Sequence, residues 1–540
     1  MTHPILSFHG AARGVTGSCF RLQTGQGTVL IDCGMFQGSK TEKALNYRPF
    51  PFDPARIDAV ILTHAHIDHS GLLPKLVKDG FAGPIHATPA TVDLCGVMLP
   101  DSAHIQESEV EMLNRRNRRR GGEEVVPIYD GQDAARTLER FRGHALGDWV
   151  QVLPGLKARF WNAGHLLGSA SVEIELADPK LRLLFSGDIG PDCKLLQPDP
   201  EGPSGMDYVI CESTYGDVDR IDASAPARRA TLRDAVKAAW RDDGVLLIPT
   251  FAVERAQELI ADLTTMMAAG DIPVCPIHVD SPMAGKATAV FRRHAAELEN
   301  GRSLVKGLED HHLRFTETVE QSRALAQARG FHIILAASGM CEAGRIRHHL
   351  KNWLWKEEAT LLLVGFQAEG TLGRLLQDGV REVRIQGEAF PVRARIRSID
   401  LYSGHADGPE LARWVAERLP IKAGVFLTHG EEEAMAGLAA RLTSHVPSDR
   451  MVLPALDESY DLTPDGCIRR ASDAPPRLAP DQVARLDWHN DVSRLMLDMD
   501  EALRATPDDR ARGVLIRRLR RALEEGDGLP PARPPGRRRH

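Results

Sequence analysis

Short runs of β-branched and aliphatic residues recur along the chain, each ending abruptly in a polar or glycine turn and often followed by apolar positions at helical spacing. The runs Thr28–Asp32, Ala59–Thr63, Leu181–Phe185, Tyr208–Cys211, Val245–Ile248, His332–Leu335 and Gly424–Leu427 are predicted strands. Val253, Ala256, Leu259, Ile260, Leu263 and Met267 share one face of a predicted helix, and Leu411, Trp414, Val415 and Leu419 share a face of another. Strands alternating with helices make an α/β chain. No internal repeat of fixed period interrupts the pattern.

The pattern breaks in two places. Gln197–Gly205 is rich in proline and glycine, can form neither a strand interior nor a helix, and reads as a crossing between domains. After about Thr463 the strands are expected to stop, and Pro480–Glu525 reads as one or two helices. The final stretch from Leu529 is too rich in proline and arginine to pack, and is expected to be disordered. At 540 residues the chain exceeds what one hydrophobic core usually supports, so more than one domain is expected.

Composition excludes some classes. With 43% hydrophobic residues, 26% charged residues and no uninterrupted apolar stretch of bilayer length, the chain reads as globular and not as a membrane protein. Residues 1–10 lack the basic and apolar regions of a secretory signal, and the eight cysteines form no CxxC pair or dense framework, which predicts a cytoplasmic setting. A net charge of −7 argues against non-specific coating of nucleic acid by the whole surface, yet leaves room for a local basic groove. The runs Arg115, Arg116, Arg118 to Arg120, and Arg517, Arg518, Arg520, Arg521 with Arg537 to Arg539, read first as solvated faces and a basic tail.

Candidate chemistry gathers where predicted strands give way to loops. Directly after Ala59–Leu62 comes Thr63-His-Ala-His-Ile-Asp-His69, with three imidazoles and a carboxylate in six residues. These are the borderline donors zinc prefers, and one zinc needs only about four ligands, so the surplus points to two metals. His165, Asp188 and His429 occupy similar strand-end positions. Asp188 is the natural bridging ligand, because two dications close together need an anion between them. Asp32, in Ile-Asp-Cys-Gly, fits an outer carboxylate that orients a metal-bound histidine. Packing gives no reason to crowd so many imidazoles at one strand end, whereas His104, His144, His278, His311, His312, His348 and His349 lack such settings.

His64-Ala-His-Ile-Asp-His69, preceded by Asp32 and followed by His165 and Asp188, resembles the ordered motifs of the metallo-β-lactamase superfamily. Beyond Asp188 the chain resembles its β-CASP ribonuclease branch, which includes bacterial relatives of the RNA 3′-end-processing endonuclease. The matching pieces are Cys211-Glu-Ser-Thr-Tyr-Gly216, Ser403-Gly-His-Ala-Asp407 and Leu427-Thr-His-Gly-Glu431, with Ile248–Arg255, Asp280–Ala284 and Ala337–Arg345 between the first two. The resemblance implies an αβ/βα sandwich with an inserted α/β β-CASP domain. Residues 1–204 and 396–463 would form the sandwich, 205–395 the insertion and 464–540 a helical, basic extension.

The same resemblance assigns His64, His66 and His165 to one Zn2+, Asp68, His69 and His429 to a second, and Asp188 to both. It implies hydrolysis of single-stranded RNA by a hydroxide activated between two metals, in RNA processing or decay. His405 is then the candidate general acid, supported by Glu212, and Asp68 and Asp32 complete the catalytic candidates. Ser338, Gly339, Ser403 and Gly404 are small turns that could offer backbone N–H groups to phosphates, and Tyr215 could stack on a base. A homodimer is compatible with the sequence. Two other readings stand beside this one, a small-molecule metallo-hydrolase of thioesterase or lactonase type and an inactive scaffold subunit. The first leaves the insertion, Glu212 and His405 without a purpose, and the second predicts lost ligands.

Overall fold

The structure, a computed structural model, describes residues 3–471 except 193, 221–223, 366 and 368–370, and beyond them 477–478, 495, 498–499, 502–506 and 508–524. It separates into two compact units, residues 1–485 and 486–540. In the first unit the predicted strands carry apolar residues on both faces, as strands covered on both sides must. Leu183 and Phe185 point into the core between two sheets, while Leu184 points to the helices outside. Val60 and Leu62 likewise face helices, and Ala59 and Ile61 face the opposite sheet.

The first of those sheets has eight strands, in the order Gly466–Arg469, Ser459–Thr463, Ile5–Phe8, Phe20–Thr24, Gly27–Ile31, Ala59–Ile61, Ile85–Ala87 and Phe141–Gly143. The second has seven, in the order Met451–Val452, Gly424–Thr428, Tyr208–Glu212, Lys180–Phe185, Ala170–Ala177, Leu156–Asn162 and Trp149–Leu153. Phe8, Phe20, Phe185, Phe426 and Tyr460 fill the space between the two sheets. The helices Leu73–Lys78 and Pro89–Arg120 cover one outer face. Gly408–Ala416 and Glu432–Leu442 cover the other, which gives the expected αβ/βα sandwich.

A third sheet is wholly parallel and has six strands, ordered Leu313–Phe315, Ile277–Asp280, His332–Ala336, Val245–Pro249, Ala359–Val364 and Arg395–Ile399. Apolar clusters lie on both of its faces. It is the core of the inserted domain, the cap. Inside it Asp280 is fully buried and accepts hydrogen bonds from Ser322 Oγ at 2.5 Å, Arg345 Nη1 at 2.6 Å, His349 Nε2 at 2.6 Å and Thr316 Oγ1. That bonding holds its carboxyl below the usual range against the opposing effect of burial. The network joins Asp280 to Arg345, the last residue of the Ala337–Arg345 motif.

The expected boundaries shift at three points. Tyr208–Glu212 pairs in parallel with Lys180–Phe185 and Gly424–Thr428, so this strand belongs to the sandwich although it lies beyond residue 204. Arg395–Ile399 pairs with Ala359–Val364 and so extends the cap sheet past residue 395. Strands also continue beyond Thr463. Thr463 Oγ1 bonds the Gly466 carbonyl at 2.7 Å and closes a turn, and Gly466–Arg469 returns beside Ser459–Thr463. Arg477 then pairs with Asp457, and Leu478 packs with Phe36, Leu45 and Leu456, so the extension begins later than residue 464.

In the second unit Asp509–Glu524 is a helix, within the expected helical segment and carrying Arg517, Arg518, Arg520 and Arg521. The rest of that expectation, and the one for the end from Leu529, lies outside the described residues. Among the described residues no helix is long and apolar enough to cross a membrane.

Candidate active site

The candidate ligands converge at the ends of strands from both sandwich sheets. His64, His66, His165 and Asp188 bring one donor atom each to within 4.8 Å of one another, and so do Asp68, His69 and His429. Asp188 lies between the two groups. Its Oδ2 is 3.5 Å from His64 Nε2 and 3.6 Å from His165 Nε2, and its Oδ1 is 3.2 Å from His69 Nε2 and 3.6 Å from His429 Nε2. Asp68 Oδ2 is 3.7 Å from His429 Nε2.

Hydrogen bonds behind the rings decide which nitrogen faces inward. Asp32 accepts from Thr63 N at 2.8 Å and from Thr63 Oγ1 at 2.9 Å, and its Oδ2 is 2.7 Å from His69 Nδ1, so His69 carries its proton on Nδ1. Because the Thr63 hydroxyl proton goes to Asp32, Thr63 Oγ1 accepts from His64 Nδ1, 3.0 Å away. Thr214 repeats the device. Its hydroxyl donates to Glu212 Oε2 at 2.6 Å and therefore accepts from His429 Nδ1 at 3.1 Å. His165 Nδ1 donates to the Gly404 carbonyl at 2.6 Å. All four rings thus turn an Nε2 lone pair toward Asp188, an orientation that outer-shell partners impose in metal sites.

This arrangement fits a cation. His64 Nε2 is buried with no hydrogen-bond partner among the described residues. His165 Nε2 lies 3.0 Å from His66 Nδ1, and His69 Nε2 lies 3.2 Å from His429 Nε2. Each of those pairs is close enough to share a proton as an N–H···N hydrogen bond or to give it up to an ion, and the orphaned His64 Nε2 and Asp188 Oδ1 are buried polar atoms that a cation would satisfy. Burial, together with His69, holds His64 well below the ordinary imidazole range. Burial and the neighbouring His405 do the same to His165, and burial takes His66 to about 4. For His69 burial is outweighed by Asp188 and Asp32, which raise it well above that range. Asp188 stays ionised despite its burial because His429 and His69 flank it. Asp32 and His429 both hold positive φ, 61° and 49°, the kind of backbone strain that functional sites retain.

Beside the candidate ligands stands a second pair. His405 Nδ1 is 3.2 and 3.3 Å from the two Glu212 oxygens and 4.0 Å from Asp188 Oδ2. Glu212, 1% exposed, also accepts from Ile189 N at 2.6 Å, next to Asp188. The His405 loop is held by Arg220, which bonds the His405 carbonyl at 2.8 Å and Ser403 Oγ at 2.9 Å. Arg220 also covers the Tyr215 ring, with 4.4 Å from Cζ to the ring centroid, so one face of that ring is taken by a cation.

Of the four small-turn N–H groups, that of Ser338 is already committed. The Ser338 N–H donates to the Ala343 carbonyl, so it is not offered to a phosphate. Gly404 contributes its carbonyl to His165, and Ser403 Oγ accepts from the His405 N–H at 3.2 Å. Gly339 lies against Phe251, which is 41% exposed. Sequence reasoning gave no role to Thr63, Thr214, Lys194, Arg220, Phe251 or Glu254. The one available signal was that most of them sit within or beside the quoted motifs. Asp310, His311 and His312 also cluster, but they are consecutive turn residues with His311 85% exposed, and Asp310 is engaged with the His312 backbone.

Buried imidazoles with inward lone pairs, divided by one carboxylate at the edge of an αβ/βα sandwich, define a metal-dependent hydrolase. Residues 12–250 match the metallo-beta-lactamase superfamily, 256–376 the Beta-Casp domain and 390–451 the Zn-dependent metallo-hydrolase RNA specificity domain. The chain is 39% identical over 449 residues to Ribonuclease TTHA0252 of Thermus thermophilus, across 80% of this chain and 94% of that one. It is 31% identical over 461 residues to Transcription termination factor FttA of Methanosarcina mazei, across 83% and 70% of the two chains. A solved structure from Enterococcus faecalis V583, titled a protein of unknown function, matches with TM-score 0.51 at 12% identity, over 85% of this chain and 100% of that one, a likeness of fold alone. The chain belongs to the β-CASP ribonuclease branch of the metallo-β-lactamase superfamily, whose members bind divalent metal and hydrolyse nucleic acid. The thioesterase or lactonase reading and the scaffold reading give way to it.

Proposed function

We propose that the protein is a zinc-dependent ribonuclease that cuts single-stranded RNA in RNA processing or decay. The observation that carries this reading is the two-part donor set divided by Asp188, with the Glu212–His405 pair beside it. His64, His66 and His165 would hold one ion, Asp68, His69 and His429 the other, and Asp188 both. When bound, such ions supply Lewis acidity to phosphoryl oxygens and lower the pKa of the attacking water. The chain's own residues do the rest. Asp32 and the two threonine hydroxyls fix the ligand tautomers, and Glu212 engages His405 Nδ1, which leaves His405 Nε2 to hand a proton to the departing ribose oxygen. Phe251 is exposed and, although Arg255 lies over its ring at 5.0 Å from the centroid, its free part offers a surface against which a base can stack. Seven free cysteines among the described residues suit a reducing, cytoplasmic setting.

The test is digestion of RNAs labelled at either end, with and without a 5′ phosphate, alongside elemental analysis of the protein. Two zinc ions per chain and chelator-sensitive cleavage of single strands in preference to duplex are expected. Cleavage that survives complete removal of metal, or no cleavage of any RNA by fully loaded protein, would sink the proposal.

The basic extension is expected to serve RNA affinity and not the chemistry. A chain ended after Arg485 keeps Arg477 and Leu478 in place and should turn over a minimal aryl phosphodiester like the full chain. It should bind RNA more weakly and with a shallower salt dependence, since the arginines of Asp509–Glu524 are gone. A truncated chain that folds and yet loses aryl-ester turnover would show that this extension belongs to the site.

A further inference from the structure

We infer that Glu254 is a positioning residue through which the cap controls the His165 corner of the metal site. The inference rests on reading His165 as a metal ligand. Glu254 is 5% exposed and stands at the mouth of the cap helix Arg255–Ala269, with φ +68° and ψ −66°. That backbone is one a non-glycine residue adopts only when its surroundings impose it. Its carboxylate reaches out of the cap and into the sandwich.

There Glu254 Oε2 accepts the Leu167 N–H at 3.1 Å, two residues after His165. Both of its oxygens lie 3.0 Å from Gln197 Nε2, and Oε1 is 3.5 Å from Lys194 Nζ. Lys194, itself buried, also donates its ammonium to the His165 carbonyl. The loop from His165 to Ser169 is thus gripped at two backbone points by one carboxylate, directly at Leu167 and through Lys194 at His165. The ring of His165 is meanwhile aimed by the Gly404 carbonyl. Tyr402, two residues before Gly404, accepts from Arg255 Nε at 2.9 Å. Consecutive residues of the cap, Glu254 and Arg255, therefore hold the loop that carries His165 and the loop that orients its ring. Ser169 Oγ, which accepts the His165 and Leu166 N–H groups at 3.1 Å each, keeps the loop folded without help from the cap. Removing the Glu254 contacts should consequently loosen the ligand's placement and leave the loop formed.

The experiment compares Glu254→Gln, Lys194→Met, the double variant and His165→Ala with the full wild-type chain, using Zn2+ alone as probe. It measures bound zinc against a competing chelator and the thermal midpoint of the metal-free proteins. Glu254→Gln is expected to weaken one of the two zinc equivalents by about 10–100-fold, the usual cost of losing an outer partner, and to leave the other unchanged. Its metal-free midpoint should fall somewhat, because Lys194 loses a buried partner, so the discriminating readout is the selective loss of one zinc equivalent. The double variant should lose less than the product of the two single losses, because both act through one path. Unchanged zinc affinity in Glu254→Gln and Lys194→Met, or a loss confined to metal-free stability, would overturn the inference while a zinc equivalent lost in His165→Ala left the ligand reading intact. If His165→Ala kept both equivalents, the ligand reading itself would fall.

Discussion

Replacing Asp188 with alanine or asparagine is expected to abolish hydrolysis of RNA and of an aryl phosphodiester together, and to leave the protein with less than one zinc per chain. Its two oxygens face different histidine pairs, Oδ2 toward His64 and His165 and Oδ1 toward His69 and His429, all between 3.2 and 3.6 Å. No other described carboxylate reaches both groups: Asp68 lies with His69 and His429 in the second, and Asp32 stands behind His69. Loss of the charge removes the anion that would lie between two dications, so both ions are expected to leave. Asp188→Asn separates this from a packing effect, since it keeps the side chain's volume. Elemental analysis, far-ultraviolet circular dichroism and rates on both substrates check the result. A folded Asp188→Asn protein with two zinc ions and wild-type turnover would remove Asp188 from the centre of the site.

Much of this site is written locally in the chain. Strand-end donors can be read one by one, because a short apolar run followed by a histidine or aspartate needs no knowledge of distant residues. Gly27–Ile31, Ala59–Ile61, Lys180–Phe185 and Gly424–Thr428 therefore came within a residue or two of expectation. What sequence cannot display is orientation. Thr63 and Thr214 are ordinary threonines until their hydroxyl protons are seen to go to Asp32 and Glu212, which is what turns His64 and His429 inward. Glu254 lies 89 residues after His165, counted along the chain, and no local pattern ties the two together.

Boundaries were illegible for a related reason. A buried parallel strand such as Tyr208–Glu212 has the same apolar character whichever sheet it joins, and the edge strand Arg395–Ile399, with only Ile399 buried, shows hardly any apolar run; only their neighbours assign them. The turn Thr463-Pro-Asp-Gly466 did carry a readable hairpin signal, outweighed by the polar residues that follow it. Gly404 and Ser338 looked alike as small turns, yet one supplies a carbonyl to the His165 ring and the other closes on its own loop.

His405→Ala is expected to separate the two substrates that Asp188 variants affect alike. A ribose oxygen leaving as a bare alkoxide is costly, and a positioned acid typically contributes about 10²–10⁴-fold, so RNA cleavage should fall by about that much. An aryl phosphodiester expels a phenolate that needs little protonation, and its turnover should fall far less. Both zinc ions should remain, because His405 Nδ1 is engaged by Glu212 and lies 4.0 Å from Asp188, behind the closer imidazoles. Glu212→Gln is a less selective probe than its contact with His405 alone would suggest. The same carboxylate holds the Ile189 N–H beside Asp188 and the Thr214 hydroxyl that orients His429. Its loss should therefore weaken metal binding as well, and lower both rates. Measured kcat/KM for the two substrates, with zinc counted in each variant, distinguishes these outcomes. Equal losses on RNA and aryl ester in a His405→Ala protein that keeps both zinc ions would take the proton-donor role away from His405 and leave it a residue that positions substrate.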